Sequence, residues 1–213
     1  MHMLFYLAKN MANLWCLLKA LVSQIASLLH FLITENCISV DYVLGKTGNT
    51  LMSCSSIEGF QSRYTCYESL LTSMYMCDMV DATTVIGDVQ EATFYLLYFC
   101  LLAMNDRNYK EVRILFEWKY AVLLGYGSDD VHYLRRLLED YWKCQTFTPG
   151  QQSIYDELRG FLSVFQSEQI HGFSARLSVP AYRVIKNVLN CIYHQEAQIY
   201  VKSQKILEQA IGH

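Results

Sequence analysis

Proline, the residue that interrupts helices most strongly, occurs only at positions 149 and 180 of this 213-residue chain. Long helices can form where it is absent, because proline removes a backbone donor and clashes with the preceding turn. Hydrophobic residues make up 53% of the sequence and charged residues 17%, a balance typical of a folded protein and not of a disordered tail. We therefore predict a mainly α-helical protein.

One segment near the N-terminus has the pattern of two β-strands. Apolar and polar side chains alternate, and β-branched residues are frequent, in residues 37–44, CISVDYVL, and in residues 50–57, TLMSCSSI. Between them GKTGN supplies the glycines of a hairpin. We predict a small β module within residues 1–57, followed by a helical bundle over residues 58–213.

An apolar stretch at residues 14–33 is about as long as a membrane span. Lys19, Gln24 and His30 interrupt it, and a charge near the middle of a span is costly. The pattern favours a buried element, or the cut edge of a module whose beginning is missing, over a membrane anchor or an export signal.

Three helical segments are predicted before residue 125, the first of them over residues 60–80. Residues 89–105 are apolar on nearly every side, which is typical of a helix in the middle of a bundle. Residues 108–124 place their apolar side chains along one stripe, which consists of Val112, Leu115, Phe116, Tyr120 and Leu123.

The sequence LGYGSDD, residues 124–130, predicts the end of one helix and the start of the next. Gly125 or Gly127 can adopt the left-handed conformation that ends a helix. Ser128 is a natural N-cap, with Asp129 and Asp130 then favoured in the first turn.

Three later segments complete the helical prediction. A turn at residues 146–152 leads into a helix over about 152–166, and Ser178 and Pro180 open another helix. That helix carries Arg183 and Lys186 on the face opposite its apolar stripe. The last helix, about 195–210, places Lys202 and Lys205 on one side.

The charge is unevenly distributed along the chain. The net charge is −3, which argues against indiscriminate nucleic-acid binding. Residues 58–127 carry five Lys/Arg against nine Asp/Glu, whereas residues 173–213 carry five Lys/Arg against two Asp/Glu. A polyanion or an acidic peptide would therefore bind the C-terminal segment, although an ordinary solvated face explains the same charges.

No catalytic or cofactor motif is present. The chain lacks GxSxG, P-loop, GxGxxG and HExxH sequences, and its histidines and eight cysteines are dispersed without the spacing of metal ligands. The aromatic residues follow helical core spacing and do not indicate a base-stacking platform. We predict a protein that is not an enzyme, without a metal, a cofactor or a small-molecule substrate, and with reduced thiols.

The segments FEWKYAVLLGYG, residues 116–127, and YVKSQKIL, residues 200–207, resemble motifs of the bacterial recombination mediator RecO family. In FEWKYAVLLGYG, residues 116–127, the family's Phe-Glu and Leu-Gly-Tyr fall on Phe116, Glu117, Leu124, Gly125 and Tyr126. In YVKSQKIL, residues 200–207, its Lys-Ser falls on Lys202 and Ser203, while Gln204 replaces the usual Arg. Between them LSVPAYRVIKNVL is similar to the family's penultimate helix, so that the resemblance covers roughly residues 37–213.

The resemblance implies a partial OB-fold before the helical domain. An OB-fold is a five-stranded barrel, and residues 1–57 offer only a shortened or diverged version of it. Many members hold a zinc with paired cysteines after the Leu-Gly-Tyr sequence; here residues 128–172 contain only Cys144, so that site is missing.

The resemblance also implies a non-catalytic repair mediator in the bacterial cytoplasm, associated with the nucleoid. Its partners would be single- and double-stranded DNA, a RecR-like protein and the acidic tail of single-stranded-DNA-binding protein. Candidate contact residues are, in order, Lys202, Lys205, Arg183, Lys186, Arg113 and Lys119. The alternative is a helical protein-interaction adaptor without DNA binding, which the N-terminal apolar helix could hold at a membrane.

Overall fold

The computed structural model describes residues 4–7, 36–44, 49–59, 65–84, 91–163, 176–199 and 202–211. The chain divides into two compact units, Met1–Thr65 and Cys66–His213, and the second begins a few residues after the predicted boundary at residue 57. The apolar stretch at residues 14–33 and the hairpin glycines lie outside the described residues. Within the described part of the chain, no helix has the length and apolar character that crossing a membrane requires.

The described residues of the first unit form three antiparallel strands in the order β1-β2-β3. They are β1 (Leu4–Leu7), β2 (Asn36–Leu44) and β3 (Asn49–Gly59). Strands β2 and β3 span the two segments with strand patterning, and their register shifts at Cys37/Ile38 and at Asp41/Tyr42. Strand β1 was not predicted. The assignment to a partial OB-fold stays a prediction.

The second unit is helical, which confirms the mainly α fold class. Its α-helices are α1 (Tyr67–Thr83), α2 (Glu91–Ala103), α3 (Tyr109–Leu123), α4 (Val131–Trp142), α5 (Pro149–Ser163), α6 (Val179–Cys191) and α7 (Lys202–Ile211). Helix α3 packs against α1, α2 and α6, while α4, α5 and α6 contact one another and α7 lies against α1.

Helix α3, and not α2, is the buried centre of this unit. Every α3 residue from Glu111 to Trp118 is buried, whereas α2 leaves Glu91 and Ala92 exposed and Tyr95 45% exposed. The prediction of a central α2 was wrong, because its aromatic residues Phe94, Tyr95, Tyr98 and Phe99 stack on one another along the helix instead. The predicted stripe of α3 is buried except at Leu123, which is 46% exposed.

Side chains at two helix starts explain where those helices begin. The Thr148 hydroxyl accepts from the Gln151 backbone N–H at 3.4 Å, and the Gln151 amide oxygen accepts from the Thr148 N–H at 2.9 Å. This reciprocal pair starts α5 at Pro149, three residues before the predicted start. Ser178 caps α6 as predicted, and its N–H and hydroxyl both donate to the Glu157 carboxylate.

A π-helical turn, Ile192–Glu196, continues directly from α6. Within it the Tyr193 hydroxyl donates to the backbone carbonyl of Glu117 in α3, at 2.6 Å. Gln198 then adopts a positive φ of 54°. The chain therefore leaves its helical path before α7, which begins at Lys202 and not at the predicted residue 195.

Candidate functional site

The LGYG sequence ends helix α3 with a Schellman motif. Gly125 has φ +84°, its N–H donates to the Val122 carbonyl, and the Tyr126 N–H donates to the Ala121 carbonyl. The structure thus confirms that the left-handed residue is one of the two candidate glycines, and identifies it as Gly125. Tyr126 is 38% exposed, and its carbonyl accepts from the Tyr133 hydroxyl.

Helix α4 is capped by Asp130, which corrects the prediction of a Ser128 cap. The Asp130 carboxylate accepts from the His132 N–H at 3.0 Å, while the Ser128 hydroxyl accepts from the Asp130 N–H. Asp129 lies outside the helix and pairs with Lys119, Nζ to Oδ1 at 2.6 Å. Lys119 is only 12% exposed and is held in this pair, so it offers little to a phosphate or an acidic peptide.

Arg113 and Glu117 form an ion pair inside the helical unit. Arg113 Nε lies 2.7 Å from Glu117 Oε1, and the two side chains are 2% and 3% exposed. The guanidinium also lies 4.5 Å from the ring centroid of Tyr75. This placement argues against the predicted surface contact for Arg113, because a side chain committed to a buried carboxylate cannot reach a partner at the surface.

Tyrosines surround this pair and keep their protons. Burial raises the pKa of Tyr75, which the nearby Glu117 carboxylate raises further. Burial likewise raises the pKa of Tyr182 to about 12, against a lowering effect of Arg113. Burial alone would lower the pKa of Arg113, but Glu117 reverses this and the guanidinium pKa lies above its ordinary value. The cluster is therefore an ionised pair enclosed by neutral phenols.

The outer face of α6 is cationic. Arg183 is exposed and Lys186 half-buried, and the sequence of α6, VPAYRVIKNVLNC, contains no Asp or Glu. Among the described residues, no salt bridge engages Arg183 or Lys186. Asn187, also exposed, lies one turn beyond Arg183. We refer to Arg183, Lys186 and Asn187 as the α6 face.

Helix α7 carries the second family motif. Lys202 is its first residue, with Lys205 one turn later, and the contact role of both stays a prediction. Ser203 and Leu207 are buried four residues apart on the side that packs against α1. Of the other motif residues, Phe116 and Glu117 are buried and Leu124 is half-buried, and the structural role of the motif residues stays a prediction.

A shallow cleft opens between α3, α4 and α5. Its floor is apolar and its rim is charged; it is lined by Trp118, Leu134, Leu162, Ser163, Asp129, Asp130 and Arg159. Two carboxylates against one guanidinium make this a poor site for an acidic peptide. In the described ranges, no group of three or more His, Cys, Asp or Glu is arranged to hold a metal ion.

Sequence reasoning missed two features that the structure brings together. The buried pair was signalled by the spacing of Arg113 and Glu117, i and i+4 beside the apolar stripe of α3. The contact of Tyr141 with the α6 face, through a 3.0 Å hydrogen bond from Asn187 Nδ2 to its hydroxyl, had no local signal, because 46 residues separate the partners.

The helical unit matches a known family. Residues 66–205, well over half of the chain, match the family model described as "Recombination protein O C terminal". No curated protein and no solved structure matches the chain significantly. The Leu-Gly-Tyr helix end and the Lys-Ser motif of α7 both lie within the matched residues. The chain therefore belongs to the RecO family of recombination proteins.

Proposed function

We propose that this chain is a non-catalytic mediator of recombinational DNA repair, which binds DNA and a single-stranded-DNA-binding protein and helps load recombinase or anneal strands. Membership of the RecO family supports the general assignment to recombination and repair. The α6 face supports the more specific assignment to DNA binding, because it is a cationic surface in a chain whose net charge is −3.

The observation that carries the DNA assignment is the absence of acidic residues from α6. Phosphate contacts come from exposed Lys and Arg, and a carboxylate on the same helix would repel the backbone. Arg183 is one turn from Asn187, so a guanidinium and an amide donor can face successive phosphates. Exposed Arg176, three residues before α6, adds a further positive charge.

For the protein partners, the two lysines of α7 are the proposed anchors. An acidic tail that ends in an aromatic residue and a carboxylate needs basic side chains beside an apolar surface. Lys202 and Lys205 are three residues apart in α7, and on the same helix Ile206 is 52% exposed. A RecR-like protein is the other proposed partner, and the proposed location is the bacterial cytoplasm at the nucleoid.

Fluorescence anisotropy with two labelled probes tests this function. A single-stranded oligonucleotide and an acidic peptide ending Asp-Ile-Pro-Phe are titrated at low and moderate salt. We expect Arg183→Glu/Lys186→Glu to weaken oligonucleotide binding and to lower the salt slope by roughly 0.7 for each phosphate that the variant no longer neutralises. Lys202→Glu is expected to weaken binding of the peptide.

The control is Arg107→Glu/Arg136→Glu, which reverses two exposed charges outside α6. It makes the same change in net charge as the α6 variant. If the oligonucleotide binds at the α6 face, the control should lose much less affinity for it than the α6 variant does. Equal losses of affinity would mean that only overall charge matters. No binding of either probe by folded protein would overturn the mediator and leave the interaction adaptor.

A further inference from the structure

Tyr141 stands at the edge of the α6 face. Its hydroxyl accepts the 3.0 Å hydrogen bond from Asn187 Nδ2, and its side chain is 38% exposed. Asn187 follows Lys186 directly and lies one turn beyond Arg183, so the tyrosine hydroxyl is bonded to the helix segment that carries both cations. Helix α4 thus contributes an aromatic residue to a surface whose charges come from α6.

The ring is held by a series of aromatic contacts that runs into the core. Tyr141 packs edge-on against Trp142, and Trp142 packs edge-on against Phe147, with ring centroids 6.2 and 5.1 Å apart. Phe147 lies tilted against Tyr155, with centroids 5.7 Å apart. Tyr155 is only 5% exposed. A ring fixed at one end by packing and at its hydroxyl by Asn187 loses little freedom when a flat ligand stacks on it.

The charges immediately around the ring do not oppose a nucleic acid. Asp140 directly precedes Tyr141, and Lys143 directly follows Trp142. Both are exposed, and their opposite charges offset each other. The nearby Glu139 carboxylate is paired with Arg135, Nε to Oε1 at 2.9 Å. The cations of the α6 face therefore set the local sign of the potential.

We propose that Tyr141 is a base-stacking residue, and that together with the α6 face it forms a subsite for single-stranded nucleic acid. The proposal rests on the proposed DNA-binding function and adds to it a preference for single strands over duplexes. A base in a duplex is stacked between its neighbours and cannot cover a tyrosine ring, whereas an unpaired base can do so while its phosphates meet Arg183 and Lys186.

The test compares three probes with wild-type protein: an oligothymidylate, an abasic oligonucleotide with the same phosphates, and a duplex. Wild-type protein should bind the oligothymidylate more tightly than the abasic strand. For Tyr141→Ala we expect about a five-fold to a hundred-fold loss of affinity for the oligothymidylate, the usual range for one stacked base. Binding of the abasic strand and the duplex should stay unchanged.

Tyr141→Phe separates stacking from a structural role. It keeps the ring and removes only the hydroxyl bonded to Asn187, so it should retain most of the oligothymidylate affinity. If the phenylalanine variant binds as weakly as the alanine variant, the residue acts by positioning Asn187 and the stacking proposal is overturned. It is equally overturned if wild-type protein does not distinguish bases from abasic sites.

Failure of this inference is distinguishable from failure of the proposed function. If the α6 charge reversal abolishes oligonucleotide binding while Tyr141→Ala leaves the affinity unchanged, the proposed DNA-binding function is supported and the stacking proposal is overturned. If no nucleic acid binds at all, both fall. Thermal unfolding of each variant shows that the comparison is made on folded protein.

Discussion

Arg113 and Glu117 place two full charges in the core of a helical unit, each less than one-twentieth exposed. A buried charge without its counter-ion is strongly destabilising, whereas a buried pair replaced by apolar residues of similar size is often neutral. The pair therefore restricts single substitutions more than it stabilises the fold. Surrounding tyrosines, which keep their protons, make the site more sensitive to an unpaired charge.

Replacing one partner alone should destabilise the protein more than replacing both. For Glu117→Leu we expect a decrease of about 3–5 kcal/mol in the free energy of unfolding, because Arg113 is left buried and unpaired. Arg113→Met/Glu117→Leu should recover most of that decrease. Urea denaturation of the two single variants and the double variant forms a thermodynamic cycle, and simple additivity would show that the pair is uncoupled.

Alkaline pH should destabilise the protein through Tyr182. Its pKa is raised from 10.0 to about 12 by burial, so the folded chain keeps a proton that the unfolded chain releases. The contribution of Tyr182 to the free energy of unfolding is complete below about pH 10 and is lost as the pH rises towards about 12. In that range the unfolded state binds fewer protons than the folded state.

Denaturation curves across this pH range measure the effect. Tyr182→Phe cannot ionise, so its stability should fall less steeply with pH than that of the wild type. Some fall should remain, because the pKa values of Tyr75 and Tyr193 are raised as well. Tyr141→Phe, which removes an exposed phenol, is the matched control. Identical pH profiles for Tyr182→Phe and wild type would contradict this assignment.

Among the elements, the corner between α3 and α4 shows what a local sequence can and cannot specify. Gly125 was one of two candidates for the left-handed position, because glycine alone tolerates that conformation without steric cost. The cap of α4 was assigned two residues too early. Ser128 and Asp130 are both good caps by residue type, and in the structure Asp130 caps the helix while Asp129 pairs with Lys119, ten residues earlier.

Substitution of Gly125 should shorten or strain the end of α3. An alanine Cβ meets no atom within 4 Å there, so the cost comes from φ +84° alone. We expect Gly125→Ala to lower the free energy of unfolding by about 1–2 kcal/mol. The control is Gly160→Ala in α5, where the added Cβ also meets nothing and alanine favours the helix by about 0.5–1 kcal/mol. Equal effects in the two variants would exclude backbone conformation as the cause.

For the whole molecule, the sequence predicted the helical class and the family through the order of weak motifs. It did not predict that α3 is central. Helix α3 can be buried because the charges of Arg113 and Glu117 neutralise each other within the core. Helix α2 is more apolar, yet its Tyr95 is exposed. The two contact candidates from α3 are each held in an ion pair, Arg113 with Glu117 and Lys119 with Asp129. Those from α6 lie on its outer side, because its apolar stripe was read correctly.

Charge is also separated on the scale of the whole chain. Residues 64–106 contain six Asp/Glu and no Lys, Arg or His, whereas α6 contains no Asp or Glu. Asp81→Asn/Glu91→Gln, at two exposed positions, should speed association with single-stranded DNA by reducing repulsion at a distance. The salt slope at equilibrium should not change, because no further phosphate is neutralised. Stopped-flow measurements at low salt check the rate, and a changed slope would indicate that these positions touch the DNA directly.

The π-helical turn at Ile192–Glu196 widens the winding at the C-terminal end of α6, where an α-helical turn would use fewer residues. Deletion of a residue there would restore regular α-helical winding and turn the following chain by about 100°, the angle of one helical residue. It would also move Tyr193 from its hydrogen bond with the Glu117 carbonyl. Length changes between residues 192 and 196 should therefore be tolerated far less than in the α4–α5 connection, although both lie between helices.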